Sequence, residues 1–275
     1  GNQATAGRWM RPNARIDGFT ITGANSAPGI MVNANNRYLE VANNKIRTNS
    51  ADLAGGIQFG HSGMSIADSE SHLQFATIHN NHVAQNGGMS AVGGGGIVMG
   101  TSTGMYRIFD NFIAGNFSMG NGGGISHIGN TDMRVGTIEH PTATVYFQKP
   151  TFWGATIDAP ASDNNVSFIN RNTIAFNESF NQGIPTVGGG IFVGGTPPPA
   201  LTPQVGSGNV IINGNLIIGN GSSGGDGGGI ALLGTSGPTS ATLAGFKVNV
   251  FNNIIANNES AFAGGGISQI GRAHV

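Results

Sequence analysis

Cysteine is absent from all 275 residues, which excludes disulfide bonds, thiolate nucleophiles and Cys-ligated zinc. Charge is scarce as well. Asp, Glu, Lys and Arg make up 9% of the chain, against roughly a quarter in an average globular domain. The net charge is −1, so there is neither a basic footprint for nucleic acid nor an acidic field for cations. No apolar run approaches the roughly 20 residues that span a bilayer. Residues 1–15, GNQATAGRWMRPNAR, have no apolar stretch like that of a signal peptide.

What the chain has in excess is glycine, 48 residues, and beside it a strict repeat of asparagine. The cleanest copy is residues 251–267, FNNIIANNESAFAGGGI. The first asparagine of each unit is Asn44, Asn81, Asn111, Asn172, Asn215 or Asn253. Three places earlier stands Val41, Ile78, Ile108, Ile169, Ile212 or Val250, and two places later Ile46, Val83, Ile113, Ile174, Ile217 or Ile255. A second asparagine follows at Asn49, Asn86, Asn116, Asn177, Asn220 and Asn258. An earlier copy, with Ile16, Phe19, Ile21 and Ala24, keeps the apolar positions and lacks both asparagines.

The second half of the unit is a glycine cluster closed by Ile30, Ile57, Ile97, Ile125, Ile191, Ile230 or Ile267. Two places later stand Val32, Phe59, Met99, Val193 and Leu232, with His127 as an exception among them, which gives the period-2 alternation of a short strand. Each unit therefore reads as three short strands separated by an asparagine corner, a glycine corner and a third connection. Glycine and asparagine suit corners that need the left-handed backbone region. Units stacked about 4.8 Å apart let equivalent asparagines bond side chain to side chain, which satisfies polar groups a buried corner would strand. Seven such units give a rod roughly 30 Å long.

The units differ in length almost entirely at one place. Ile125 is followed by the next β-branched position only at Ile169, whereas Ile97 is followed at Ile108. In a solenoid, insertions at one corner gather on one side of the rod, often the binding side. The predicted fold is all-β, a right-handed parallel β-helix of about seven coils with loops inserted mainly at one corner. Residues 15–269 form the repeat domain, with a long insertion at 126–168. Residues 1–14 lead in from an expected longer protein. Residues 270–275, IGRAHV, read as the in-frame translation of a sequencing-library adapter, which marks the chain as an expected metagenomic fragment. Cut ends expose strand edges, so the fragment is expected to self-associate.

Over residues 15–268 the repeat resembles the parallel β-helix of the pectin-lyase-like fold, in particular bacterial secreted and surface proteins with GG(A/G)I repeats and asparagine ladders. It is also similar to the repeats of polymorphic outer-membrane autotransporters, with (V/I)xxN in place of their FxxN element. The resemblance implies an extracellular or cell-surface location and an adhesin-like or glycan-binding role. Its enzymes cleave acidic polysaccharides with calcium-holding carboxylate clusters and an arginine base, or hydrolyse with close aspartates. Neither motif is visible here. A polysaccharide lyase or glycoside hydrolase with its active residues in loops or in further coils is the rival reading.

Candidate residues are weighed against plain structural roles. Asp110 and Arg171 occupy one position on adjacent units and read as a structural ion pair. Glu178 and Glu259 share a register, with Gly221 between them, and read as exposed turn residues. GGDGGGI at residues 224–230 is similar to calcium-binding nonapeptides, which need several successive copies. One copy is present, and no cofactor is expected. The Asn-x-Ser sequons at Asn116, Asn177, Asn220 and Asn258 are ladder positions, so their side chains should be engaged; Asn165 carries the fifth. The long insertion brings Tyr146, Phe147, Phe152 and Trp153 around Lys149, where ring faces could stack on sugar or pin the loop as a small core. The insertion before it offers His61, Asp68, Glu70 and His72 as bases, ligands or a solvated loop. Tyr146, Lys149, Trp153 and His61 are the candidate ligand-binding residues, for a polysaccharide or cell-surface glycan.

Overall fold

A computed structural model of the chain describes residues 14–32, 39–60, 76–91, 93–100, 105–129, 166–195, 206–236 and 246–270. No helix occurs among them. Their strands form four parallel sheets, three of seven strands and one of six; each repeat of the sequence adds one strand to every sheet, except the first, which adds none to the six-stranded sheet. The result is a β-solenoid.

One repeat shows the path. Glu40–Ala42 lies in the first sheet and Lys45–Arg47 in the second. Ser50–Ala51 enters the third sheet and Ile57–Phe59 the fourth. The columns expected from spacing are the columns observed. In the first sheet Val41 pairs with Ile78, Ile78 with Ile108, and Ile169 with Ile212. In the fourth, Ile30, Ile57, Ile97, Ile125, Ile191, Ile230 and Ile267 stack in order. All of these side chains but the terminal Ile267 belong to one continuous core, most of them fully buried. Burying each such Ile or Val stabilises the fold by about 1.5–3 kcal/mol before entropy is charged against it.

The asparagines line the inside of two corners. Asn81 Nδ2 donates to Asn111 Oδ1 at 3.0 Å, and the backbone N–H of Asn81 donates to the same oxygen at 3.0 Å. Asn111 Nδ2 donates onward to Asn172 Oδ1 and back to the Ile78 carbonyl. The second ladder repeats this pattern from Asn49 through Asn258. Both ladders stop where the first repeat has no asparagine: Phe19 and Ala24 supply only a backbone N–H to Asn44 Oδ1 and Asn49 Oδ1.

Two expectations need correction. Each repeat has four strands, not three, because each asparagine turns its own corner. The extra strand has two residues and no β-branched side chain, as in Phe117–Ser118 and Glu178–Ser179. It is held by backbone bonds such as Phe117 N–H to the Asn86 carbonyl, 2.9 Å. The inward residues there, Ala51, Ser118, Ser179 and Ser222, are small and buried. The second correction concerns the corners. The left-handed backbone belongs to the residue before each ladder asparagine, for example Asn43, Asn80, Asp110 and Arg171 before the first and Thr48, Gln85 and Phe176 before the second. The ladder asparagines are selected for hydrogen bonding, not for their tolerance of positive φ.

The glycine corner is selected for close approach between coils. A Cβ on Gly56 would stand 2.3 Å from the Gly96 carbonyl oxygen. The residues outside the description between repeats all fall in the connection from the fourth sheet to the first, the corner where sequence length varies. Strands Ile125–Ile128 and Val166–Asn170 take up both margins of the 126–168 insertion.

Candidate functional site

The first sheet carries the most distinctive outer face. Residues four and two places before each first asparagine alternate outward from the buried Ile or Val. They form the columns Glu40, Thr77, Arg107, Phe168, Ile211, Asn249 and Ala42, His79, Phe109, Asn170, Asn213, Phe251. A chain poor in charge thus places acid, base and aromatic groups side by side.

At the centre is Phe109. The His79 ring stacks on it at 4.9 Å with an interplanar angle of 6°. The guanidinium of Arg107 lies 5.6 Å from the Phe109 centroid and 5.8 Å from that of Phe168, and Arg171 lies 5.5 Å from Phe109. These are cation–π distances. Around the asparagine corner, on the second sheet, His82 stacks on Phe112 at 5.0 Å.

The ionisable groups here are mostly tied to one another. His79 Nε2 donates to Glu40 Oε1 at 2.5 Å, and its Nδ1 lies 2.7 Å from Asn80 Oδ1. Both ring nitrogens thus lie within hydrogen-bonding distance of a side-chain oxygen. Arg171 donates from Nε and a terminal nitrogen to the two oxygens of Asp110, 2.8 Å each, which is the ion pair expected from register. Those hydrogen bonds raise the Arg171 pKa. Arg107 has no carboxylate partner among the described residues, and burial, followed by repulsion from Arg171, lowers its pKa.

A second polar pair lies inside the rod. Tyr106 donates its hydroxyl to His127 Nδ1 at 2.7 Å. His127 Nε2 donates to the carbonyls of Gly129 and Ser207 at 2.8 and 2.9 Å. Two carbonyl acceptors require the proton on Nε2, which fixes the neutral tautomer with Nδ1 as acceptor. Burial pushes the His127 pKa down to about 4, against smaller opposing effects of the two carbonyls, and pushes that of Tyr106 up. His127 fills the inward position that Met99 and Val193 fill in neighbouring coils. It replaces a core methionine or valine with a hydrogen-bonded pair and has no opening to a ligand.

The sequence candidates Tyr146, Lys149, Trp153 and His61 lie outside the described residues, as do Asp68, Glu70 and His72. Glu178 and Glu259 do flank Gly221 in one column, and Glu178 accepts from Ser223 Oγ at 2.9 Å. The aspartate of GGDGGGI, Asp226, accepts the Ala263 N–H at 2.7 Å, a structural role at the glycine corner. Four sequon asparagines are engaged in the second ladder as expected. Among the described residues no cluster of three or more His, Asp or Glu could hold a metal ion, and no helix is long and apolar enough to cross a membrane.

Sequence reasoning found Asp110–Arg171 and missed its neighbours. The same register arithmetic, applied to the outward positions two and four places before each asparagine, brings His79 beside Phe109 and Arg107 beside Phe168. Comparison with family models, with curated proteins and with solved structures finds no match.

Proposed function

We propose that the chain is a non-catalytic, carbohydrate-binding segment of a secreted or cell-surface bacterial protein, an adhesin-like rod. Its architecture on this reading is a right-handed parallel β-helix of about seven coils, similar to the pectin-lyase-like fold. The handedness rests on the strong preference of parallel crossover connections for the right-handed path. The observation that carries the functional reading is the aromatic and cationic outer face of the first sheet on a rod whose inner polar groups are mostly satisfied by its own ladders. Aromatic faces beside polar groups suit sugar rings, which offer apolar CH faces and polar edges. In sequence, the insertion bearing His61 leads into the first-sheet strand Ala76–His79, and the one bearing Tyr146, Lys149 and Trp153 leads into Val166–Asn170.

The rival is a polysaccharide lyase or glycoside hydrolase. Against it, both oxygens of Asp110 are tied to Arg171, which leaves that carboxylate poorly placed for acid–base work. A glycan array probed with the wild-type chain and with the Tyr146→Ala, Trp153→Ala double variant, run beside incubation with acidic polysaccharides, tests the reading. Binding that weakens in the variant, with no unsaturated products and no new reducing ends, is expected. Turnover would establish the rival, and unchanged binding in the variant would remove the loop from the contact surface.

A further inference from the structure

We propose that Asn213 is a site of spontaneous deamidation, where the chain converts an amide on the outer face of the first sheet to aspartate and isoaspartate while the fold holds back its other Asn-Gly pairs.

Asparagine is a thermolabile residue, most of all where the next main-chain nitrogen is unhindered. Glycine, with no Cβ, leaves it so. Asn-Gly occurs four times in the chain, at Asn86, Asn121, Asn213 and Asn220. In the reaction the Gly214 nitrogen gives its proton to a base in solvent and bonds to Asn213 Cγ. The Cγ–Nδ2 bond breaks and ammonia leaves, which closes a five-membered succinimide. Water then opens the ring. Cleavage between the nitrogen and Cγ leaves aspartate; cleavage between the nitrogen and the main-chain carbonyl carbon leaves isoaspartate. Water is the only co-reactant, and no oxidant or reductant is needed.

Ring closure requires the amide to turn toward the following nitrogen and that nitrogen to lose its proton. In three of the four pairs hydrogen bonds oppose both. Asn86 and Asn220 are ladder residues. Asn86 Nδ2 donates to Asn116 Oδ1 and to the Ile46 carbonyl, and Asn220 Nδ2 donates to Asn258 Oδ1 and to the Ile174 carbonyl. The glycines after them are tied as well: Gly87 N–H donates to the Asn49 carbonyl at 2.9 Å and Gly221 N–H to the Asn177 carbonyl at 2.8 Å. Asn121 Oδ1 accepts the Val187 N–H at 2.9 Å, and the buried Gly122 donates its N–H to the Val187 carbonyl at 3.0 Å.

Asn213 differs at each point. It is the last residue of strand Asn209–Asn213, in an outward position and only partly buried. Gly214 is exposed, in a turn with φ of 67°. Among the described residues nothing bonds to the Asn213 amide or to the Gly214 N–H. A strand end of this kind opens more readily than a ladder corner. The product falls beside Arg171, whose N–H donates to the Asn213 carbonyl at 3.1 Å. Aspartate there adds a negative charge one strand from the Asp110–Arg171 pair. Isoaspartate lengthens the main chain by one atom where Asn213 pairs with Asn170 and Phe251.

The test incubates the folded chain at mildly alkaline pH beside the same chain unfolded in guanidinium. Each Asn-Gly peptide is followed by chromatography and mass spectrometry, in which deamidation adds about one mass unit and isoaspartate elutes apart from aspartate. Unfolded, all four sites should convert at similar rates. Folded, Asn213 should convert at least tenfold faster than Asn86, Asn121 or Asn220. Gly214→Asn sets there the residue that three other coils carry at positive φ before the first ladder asparagine, Asn43, Asn80 and Asn252. The variant should therefore fold, and its side chain should slow conversion at Asn213 at least tenfold. If circular dichroism shows that it does not fold, the wild-type comparison of folded and unfolded chain decides alone. Four sites converting alike in the folded chain, another site converting first, no conversion at Asn213 by the time the unfolded chain has converted fully, or an unchanged rate in folded Gly214→Asn overturns the assignment.

Discussion

Asparagine does its work here through both ends of its amide. Asn111 accepts two hydrogen bonds from Asn81 and donates to Asn172, to the Ile78 carbonyl and to the Phe109 carbonyl. Replacing it with alanine strands the Asn81 donors and the Ile78 acceptor at a buried corner. Asn111→Ala should lower unfolding free energy by roughly 2–4 kcal/mol, read from the denaturant midpoint. An exposed change such as Phe176→Tyr should move it little. His127 makes a different residue-scale prediction. Its folded pKa, about 4, lies below the unfolded value of 6.5. Between those values the unfolded chain binds the extra proton, so stability is full above about pH 6.5 and is lost as pH falls through about 4. The loss approaches about 3 kcal/mol. Denaturation from pH 7 to pH 4 should show that slope in the wild type and a shallower one in the Tyr106→Phe, His127→Leu double variant, which empties the core of both polar groups together. An equal slope in both would place the acid sensitivity elsewhere.

At the scale of the element, coil spacing decides which residues are tolerated. A Cβ on Gly56 would meet the Gly96 carbonyl oxygen at 2.3 Å, while one on Gly87, in the third sheet, would meet nothing closer than 3.7 Å. Gly56→Ala should therefore cost about 1–3 kcal/mol by forcing two coils apart, and Gly87→Ala should be neutral or stabilising by up to about 1 kcal/mol. Thermal melts of the two variants side by side check the contrast. The same scale shows what was legible in the sequence. Columns of β-branched residues and both ladders could be read from spacing, because one periodic rule fixes them. The two-residue third strand could not, because Glu178–Ser179 and Gly221–Ser222 carry no strand-forming side chain and are paired to their neighbours by backbone bonds. The outer face of the first sheet was half legible. Asp110 and Arg171 announced themselves as opposite charges in one register, but His79 on Phe109 and Arg107 between two phenyl rings involve contacts that hydropathy does not mark.

The whole molecule separates two jobs. Ladders, isoleucine columns and glycine corners hold the rod, and from Val41 to Asn258 all three recur with little variation. Recognition belongs to what varies: the outward residues of the first sheet and the connections that lead into it. A rod of this kind should be stiff inside and responsive on one face. Hydrogen exchange of the intact chain, with and without a glycan that binds it on the array, measures both at once. The account predicts that exchange is slowest across residues 76–91, 105–118 and 166–180, where ladder and core are continuous, and that added ligand slows exchange further in residues 105–110 and 166–171 and leaves the fourth-sheet strands unchanged. Ligand-induced slowing centred on the fourth sheet, or fast exchange through the ladder corners, would contradict it.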